Sequence, residues 1–65
     1  MGKTKHEIPR LLSARELSER TGIPRSTWYD VLARGELPVV RIGSSIRVAE
    51  NDAAQYLASR REVAR

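Results

Sequence analysis

The chain has no cysteine and a single histidine, His6. Without cysteine there is no disulfide framework and no thiolate metal site. One imidazole cannot build a histidine-based site alone. No apolar run approaches the roughly 20 residues that a transmembrane helix needs. The start, Met1-Gly2-Lys3-Thr4-Lys5-His6, is basic but leads into no apolar signal core. It is not a myristoylation site, because His6 stands where Ser or Thr is wanted. Repeats, low-complexity segments and polybasic blocks are missing as well. A cytoplasmic protein with no membrane partner is expected.

What remains is short and basic. Sixty-five residues make one small domain at most, and a domain of this size buries only about 60% of the surface its unfolded chain exposes. Its core rarely supplies more than roughly 3–5 kcal/mol without a staple. A deep cofactor pocket is hard to fit, so the expectation is a binding module, with no enzyme activity, cofactor or metal. Twelve Lys+Arg against eight Asp+Glu give a net charge of +4. As a total that balance fits nucleic acid or a membrane surface equally well, and it is the placement of the charge on a reading helix and a wing that selects duplex DNA. Ten of the twelve cations are arginine, a composition that suits bidentate phosphate and guanine contacts and also fits a GC-rich codon usage. Residues 1–10 carry +2, residues 11–35 carry +1, residues 36–48 carry +1 and residues 49–65 carry 0. The excess is spread, so it must act by where the fold places it.

Residues 1–10 read as a loose arm, residues 11–60 as the domain and residues 61–65 as a frayed tail. Ser13-Ala14-Arg15-Glu16 fits a capping box, and Leu12 with Leu17 has the spacing of a hydrophobic staple. The helix that follows stops at Gly22. Gly22-Ile23-Pro24 is a tight turn, with proline acceptable in a first helical turn. A second helix spans Arg25 to Arg34, with Trp28, Val31 and Leu32 on one apolar face. Gly35 ends it. Leu37 to Val48 reads as a β-hairpin. A three-residue loop, Gly43-Ser44-Ser45, pairs Ile42 with Ile46 and Val40 with Val48 inward, and Arg41 with Arg47 outward. This register keeps both faces consistent. Glu50-Asn51-Asp52 opens a third helix with acid at its positive end, and Ala53, Tyr56, Leu57 and Arg60 share a face of it.

Two short helices around a Gly-Ile-Pro turn form a helix-turn-helix, and a hairpin after the second helix is a wing. The fold expected is mainly α with a small β-hairpin, a winged helix-turn-helix. In such a fold the second helix reads the major groove with its N-terminal residues. Arg25, Ser26, Thr27 and Tyr29 are the candidate readers. Arg can engage guanine, while Ser or Thr takes bases or phosphates. Arg41, Ser44, Ser45 and Arg47 are the candidate wing contacts, since two arginines directly opposite each other repel unless an anion or a minor groove sits between them. Lys3, Lys5, Arg10, Arg15 and Arg34 are further phosphate candidates. Asp30 opposes DNA electrostatically; it either orients Arg34 at i+4 or accepts from a cytosine amine. Trp28 and Tyr56 are assigned to the core, not to base stacking.

The run from Leu12 to Tyr29 resembles the excisionase-type branch of the MerR-like winged-helix superfamily. So do Gly35-Glu36-Leu37-Pro38-Val39-Val40-Arg41-Ile42-Gly43, Ile46-Arg47-Val48, Asp52 and Tyr56-Leu57. The likeness covers residues 11–58, about three quarters of the chain. Pro24, Asp30 and Ser44-Ser45 depart from the family pattern, where a hydroxyl cap, a basic residue and a wing-tip arginine are common. The resemblance implies a recombination directionality factor of a phage or mobile element. Such a protein binds and bends double-stranded DNA near an attachment site and steers a phage integrase towards excision. It acts on tandem sites in the nucleoid of a bacterial host, and the acidic start and basic end of the third helix would allow head-to-tail self-association between neighbours on DNA. A small MerR-like transcriptional regulator is the alternative. A protein-interaction module of the same fold is the third reading.

Overall fold

The computed structural model describes residues 8–62. The elements in order are β1 (Leu11–Leu12), α1 (Ala14–Thr21), α2 (Arg25–Ala33), β2 (Val40–Ile42), β3 (Ser45–Ala49) and α3 (Glu50–Ser59). This is a winged helix-turn-helix, with β2 and β3 as the wing. The expected arm and tail fall largely outside the described residues, and so do Lys3, Lys5 and His6.

Local chemistry sets the ends of α1. The Glu16 backbone N–H donates to Ser13 Oγ at 3.1 Å, and the Ser13 N–H donates to Glu16 Oε1 at 2.9 Å. The expected capping box is thus complete. The hydrogen bond from the Ser13 backbone is the main reason the Glu16 carboxyl is held below its ordinary pKa. Gly22 closes the helix at φ 77°, with its N–H on the Ser18 carbonyl at 2.9 Å. A β-carbon would strain that left-handed backbone. Pro24 precedes α2 and offers no side chain to cap it.

One core joins β1, β3 and the three helices. Leu12, Ala14, Leu17, Trp28, Val31, Leu37, Val48 and Ala53 are buried, and Ile23, Leu32, Val39, Tyr56 and Leu57 pack around them. Trp28 is only 1% exposed. Its indole N–H donates to Thr21 Oγ1 at 3.2 Å, and the Thr21 hydroxyl donates to the Leu17 carbonyl at 2.6 Å. The Ile23 N–H donates to Thr21 Oγ1 as well, at 3.2 Å. This hydroxyl therefore ties α1, the turn and α2 together, and Trp28 is a core residue as expected.

The sheet differs from expectation in two ways. First, Leu11–Leu12 forms a strand that pairs antiparallel with β3, Leu11 opposite Ala49 and Leu12 opposite Val48, giving the strand order β1-β3-β2. A two-residue strand has no periodicity to reveal it. Second, the wing turn is Gly43-Ser44, with Ile42 opposite Ser45, Arg41 opposite Ile46 and Val40 opposite Arg47. Gly43 takes φ 59° and Ser44 is not in the positive-φ region, the glycine-first pattern of a type II′ turn. The three-residue loop is therefore wrong, and so are the pairings Ile42–Ile46, Val40–Val48 and Arg41–Arg47. Val48 is fixed inward by Leu12 and the core, and Val39, just before β2, packs on the core. Alternation from those two residues turns Arg41 and Ile46 towards α2 and leaves Ile42 outside, 69% exposed.

Candidate nucleic-acid interface

A groove of about 390 Å³ runs between α2 and the wing. Half-buried Leu32, Val39 and Ile46 floor it, and Tyr29, Ala33, Ser44, Arg15, Arg41 and Arg47 edge it, with Ser13 and Ala14 from the start of α1. The corrected register places Arg41 here. With Arg41 and Arg47 no longer opposite each other, like-charge repulsion across the wing is not a feature of the fold. Arg47 instead donates Nη1 to its neighbour's carbonyl, at Ile46, 2.9 Å away.

On α2, Arg25, Ser26, Thr27, Tyr29, Asp30 and Ala33 are all exposed. They do not form one surface. At 100° per residue, Ser26, Tyr29, Asp30 and Ala33 lie opposite the Trp28–Val31–Leu32 face. Arg25 flanks them on the wing side. Thr27 falls on the other flank and lines a hollow with Trp28, Val31, Tyr56 and Leu57. The expected reader Thr27 thus faces α3, while Tyr29, 58% exposed, faces the groove. Ser45 stands at the start of β3 opposite Ile42, one residue past the turn.

Acidic partners sort the arginines. Arg10 and Arg20 converge on Glu50 at 3.9 and 2.7 Å, and Arg15 pairs with Glu19 at 3.3 Å. Arg34 and Arg60 both bind Glu36, at 2.7 and 2.9 Å. Asp30 therefore does not orient Arg34. Among the described residues Arg25, Arg41, Arg47 and Arg61 form no ion pair. Three of these four stand on the reading helix and the wing.

Glu36 is a junction that the sequence reading missed, because its partners come from α3 and the end of α2. The Tyr56 hydroxyl donates to its Oε1 at 2.7 Å. That bond, followed by the one from Arg34, holds the Glu36 carboxyl below its ordinary pKa, and it pushes the Tyr56 phenol up. The Arg34 guanidinium is raised by the same carboxylate. Arg60 also lies 5.2 Å from the Tyr56 ring centre, and that ring is tilted against Trp28 at 6.1 Å. This cluster braces α3 against the reading helix.

Residues 11–61 match the family model described as a helix-turn-helix domain. The chain belongs to that family. The helix-turn-helix domain family includes excisionase-like DNA-binding proteins, and its members bind double-stranded DNA. No curated protein and no solved structure matches this helix-turn-helix chain. Among the described residues no helix is long and apolar enough to cross a membrane.

Proposed function

We propose that this chain is an excisionase, a DNA-bending protein that directs an integrase towards excision. Support comes from membership of a family with excisionase-like members and from the sequence pattern Gly35 to Gly43. The observation that carries the DNA-binding part is the pair Arg41 and Arg47, without an ion-pair partner among the described residues, at the edge of one groove between α2 and the wing, with unpaired Arg25 at the start of α2. The reading helix enters the major groove, Arg25 and Ser26 meet base edges or phosphates, and Tyr29 lies against the backbone. One sugar-phosphate strand sits between α2 and the wing, held by Arg41, Arg47 and Arg15. Ser44 and Ser45 let the turn approach it closely. Copies bind side by side on tandem sites near an attachment site.

Purified integrase, attachment-site DNA and this protein test the reading directly. Excisive recombination that requires the protein supports it. Excision of equal yield without it overturns the excisionase role. Gel shifts across a salt series test the DNA-binding layer separately, because phosphate contacts make affinity fall steeply with salt.

A further inference from the structure

The reading face of α2 carries an acid at its centre. Asp30 is exposed, one turn from Ser26 and beside Tyr29 and Ala33. Its natural neutraliser, Arg34 at i+4, is turned away to Glu36 at 2.7 Å. No ion pair or side-chain hydrogen bond engages the Asp30 carboxylate among the described residues. The domain thus presents a carboxylate that lacks a direct partner, with only the longer-range attraction of Arg34 acting on it, on the helix that the proposed function brings against a polyanion.

We propose that Asp30 is a specificity-determining residue that accepts a hydrogen bond from the 4-amino group of one cytosine in the major groove. This rests on the reading of α2 as the helix that enters that groove. A carboxylate offers only acceptors. In the major groove guanine shows it N7 and O6, and thymine shows it O4, all of them acceptors that repel it. Adenine places its N7 acceptor beside its amino donor. Cytosine alone presents a donor with no adjacent acceptor on its own edge. The charge that disfavours binding in general therefore becomes tolerable at one base pair, and Asp30 discriminates mainly by rejecting the others. Ser26, on the same stripe, is placed to contact a neighbouring pair.

The test is selection of duplexes from a random pool by the wild-type protein, Asp30→Ala and Asp30→Asn, followed by titration of the selected duplexes. The wild type is expected to fix one cytosine. Asp30→Ala should lose that preference, reducing discrimination at that position about tenfold, while binding unrelated duplex more tightly because a repulsive charge is gone. Asp30→Asn should move the preference towards adenine, which asparagine engages through N6 and N7. A duplex carrying a pyrimidin-2-one in place of the selected cytosine lacks only the amino group. It should weaken wild-type binding and leave Asp30→Ala unaffected. If wild type and Asp30→Ala select the same bases with equal discrimination, Asp30 reads nothing and the proposal is overturned, with DNA binding itself intact. A wild-type protein that enriches no duplex overturns both this proposal and the reading it rests on.

Discussion

The two sides of this domain use arginine in opposite ways. On the side built from α1, α3 and the α2–β2 connection, Arg20, Arg34 and Arg60 are bound to Glu50 or Glu36. On the side built from α2 and the wing, Arg25, Arg41 and Arg47 have no carboxylate partner among the described residues. The same residue type is structural on one side and available on the other. Net charge alone does not separate the two; the placement of Glu36 and Glu50 does. Arg15 stands at the boundary, paired with Glu19 and also at the groove edge.

That contrast can be broken from its foundation. Trp28→Ala removes the largest fully buried side chain, and truncations of this kind cost about 3–5 kcal/mol. A domain this small has about that much stability in total. Urea titration followed by circular dichroism should show an unfolded or nearly unfolded chain, and a cooperative transition near the wild-type midpoint would contradict the packing described.

On the available side, Arg25→Ala should weaken binding to a preferred duplex by about 1–3 kcal/mol and relax preference at one position, if the guanidinium reaches a base. Arg41→Ala sharpens the comparison with the structural side. It should reduce the salt slope of binding by about 1 and weaken all duplexes alike, with unchanged urea stability. Arg20→Ala should do the reverse, leaving the salt slope alone and shifting stability by at most about 1 kcal/mol. Equal salt slopes for wild type and Arg41→Ala would remove the distinction between the two sides.

Acid should act on the structural side first. The Glu36 and Glu16 carboxyls are held below their ordinary pKa in the folded chain. Their contribution is therefore fully present above the ordinary carboxylate range and is lost as pH falls through the lowered values. Glu36→Gln should flatten the acid limb of a stability–pH curve measured by thermal melting, with little change in slope near neutrality. An unaltered acid limb would show that the Glu36 junction contributes nothing measurable. The smallest effect is expected from Ile42→Thr on the outer face of β2. Its side chain is exposed, so stability should stay within about 0.5 kcal/mol of wild type.

Much of the fold is legible in the residues. Ser13 and Glu16 announce the start of α1, Gly22 its end, and the spacing of Trp28, Val31 and Leu32 the inner face of α2. These are local signals, decided within one turn of helix. The wing register was not legible. Alternation is informative only where one face of a ribbon is buried, and this wing extends beyond the core. Val39 and Val48 set the phase, yet Val39 precedes the strand and Val48 is held by a two-residue strand at the other end of the domain. Helical spacing puts Ser26 and Tyr29 on the exposed face of α2 with Arg25 beside them, and all three are exposed in the structure, but the flank that Thr27 occupies depends on where α3 packs. The Glu36 junction joins residues up to 24 positions apart, beyond the reach of any local pattern.

The Thr21 hydroxyl has a mechanical consequence. One oxygen donates to Leu17 and accepts from both Ile23 and the Trp28 indole, so its hydrogen-bonding capacity is full. The angle between α1 and α2 is pinned at that atom. The hinge of the helix pair is thereby riveted at a single side chain, and removing that hydroxyl would leave the Ile23 N–H and the Trp28 indole without their acceptor.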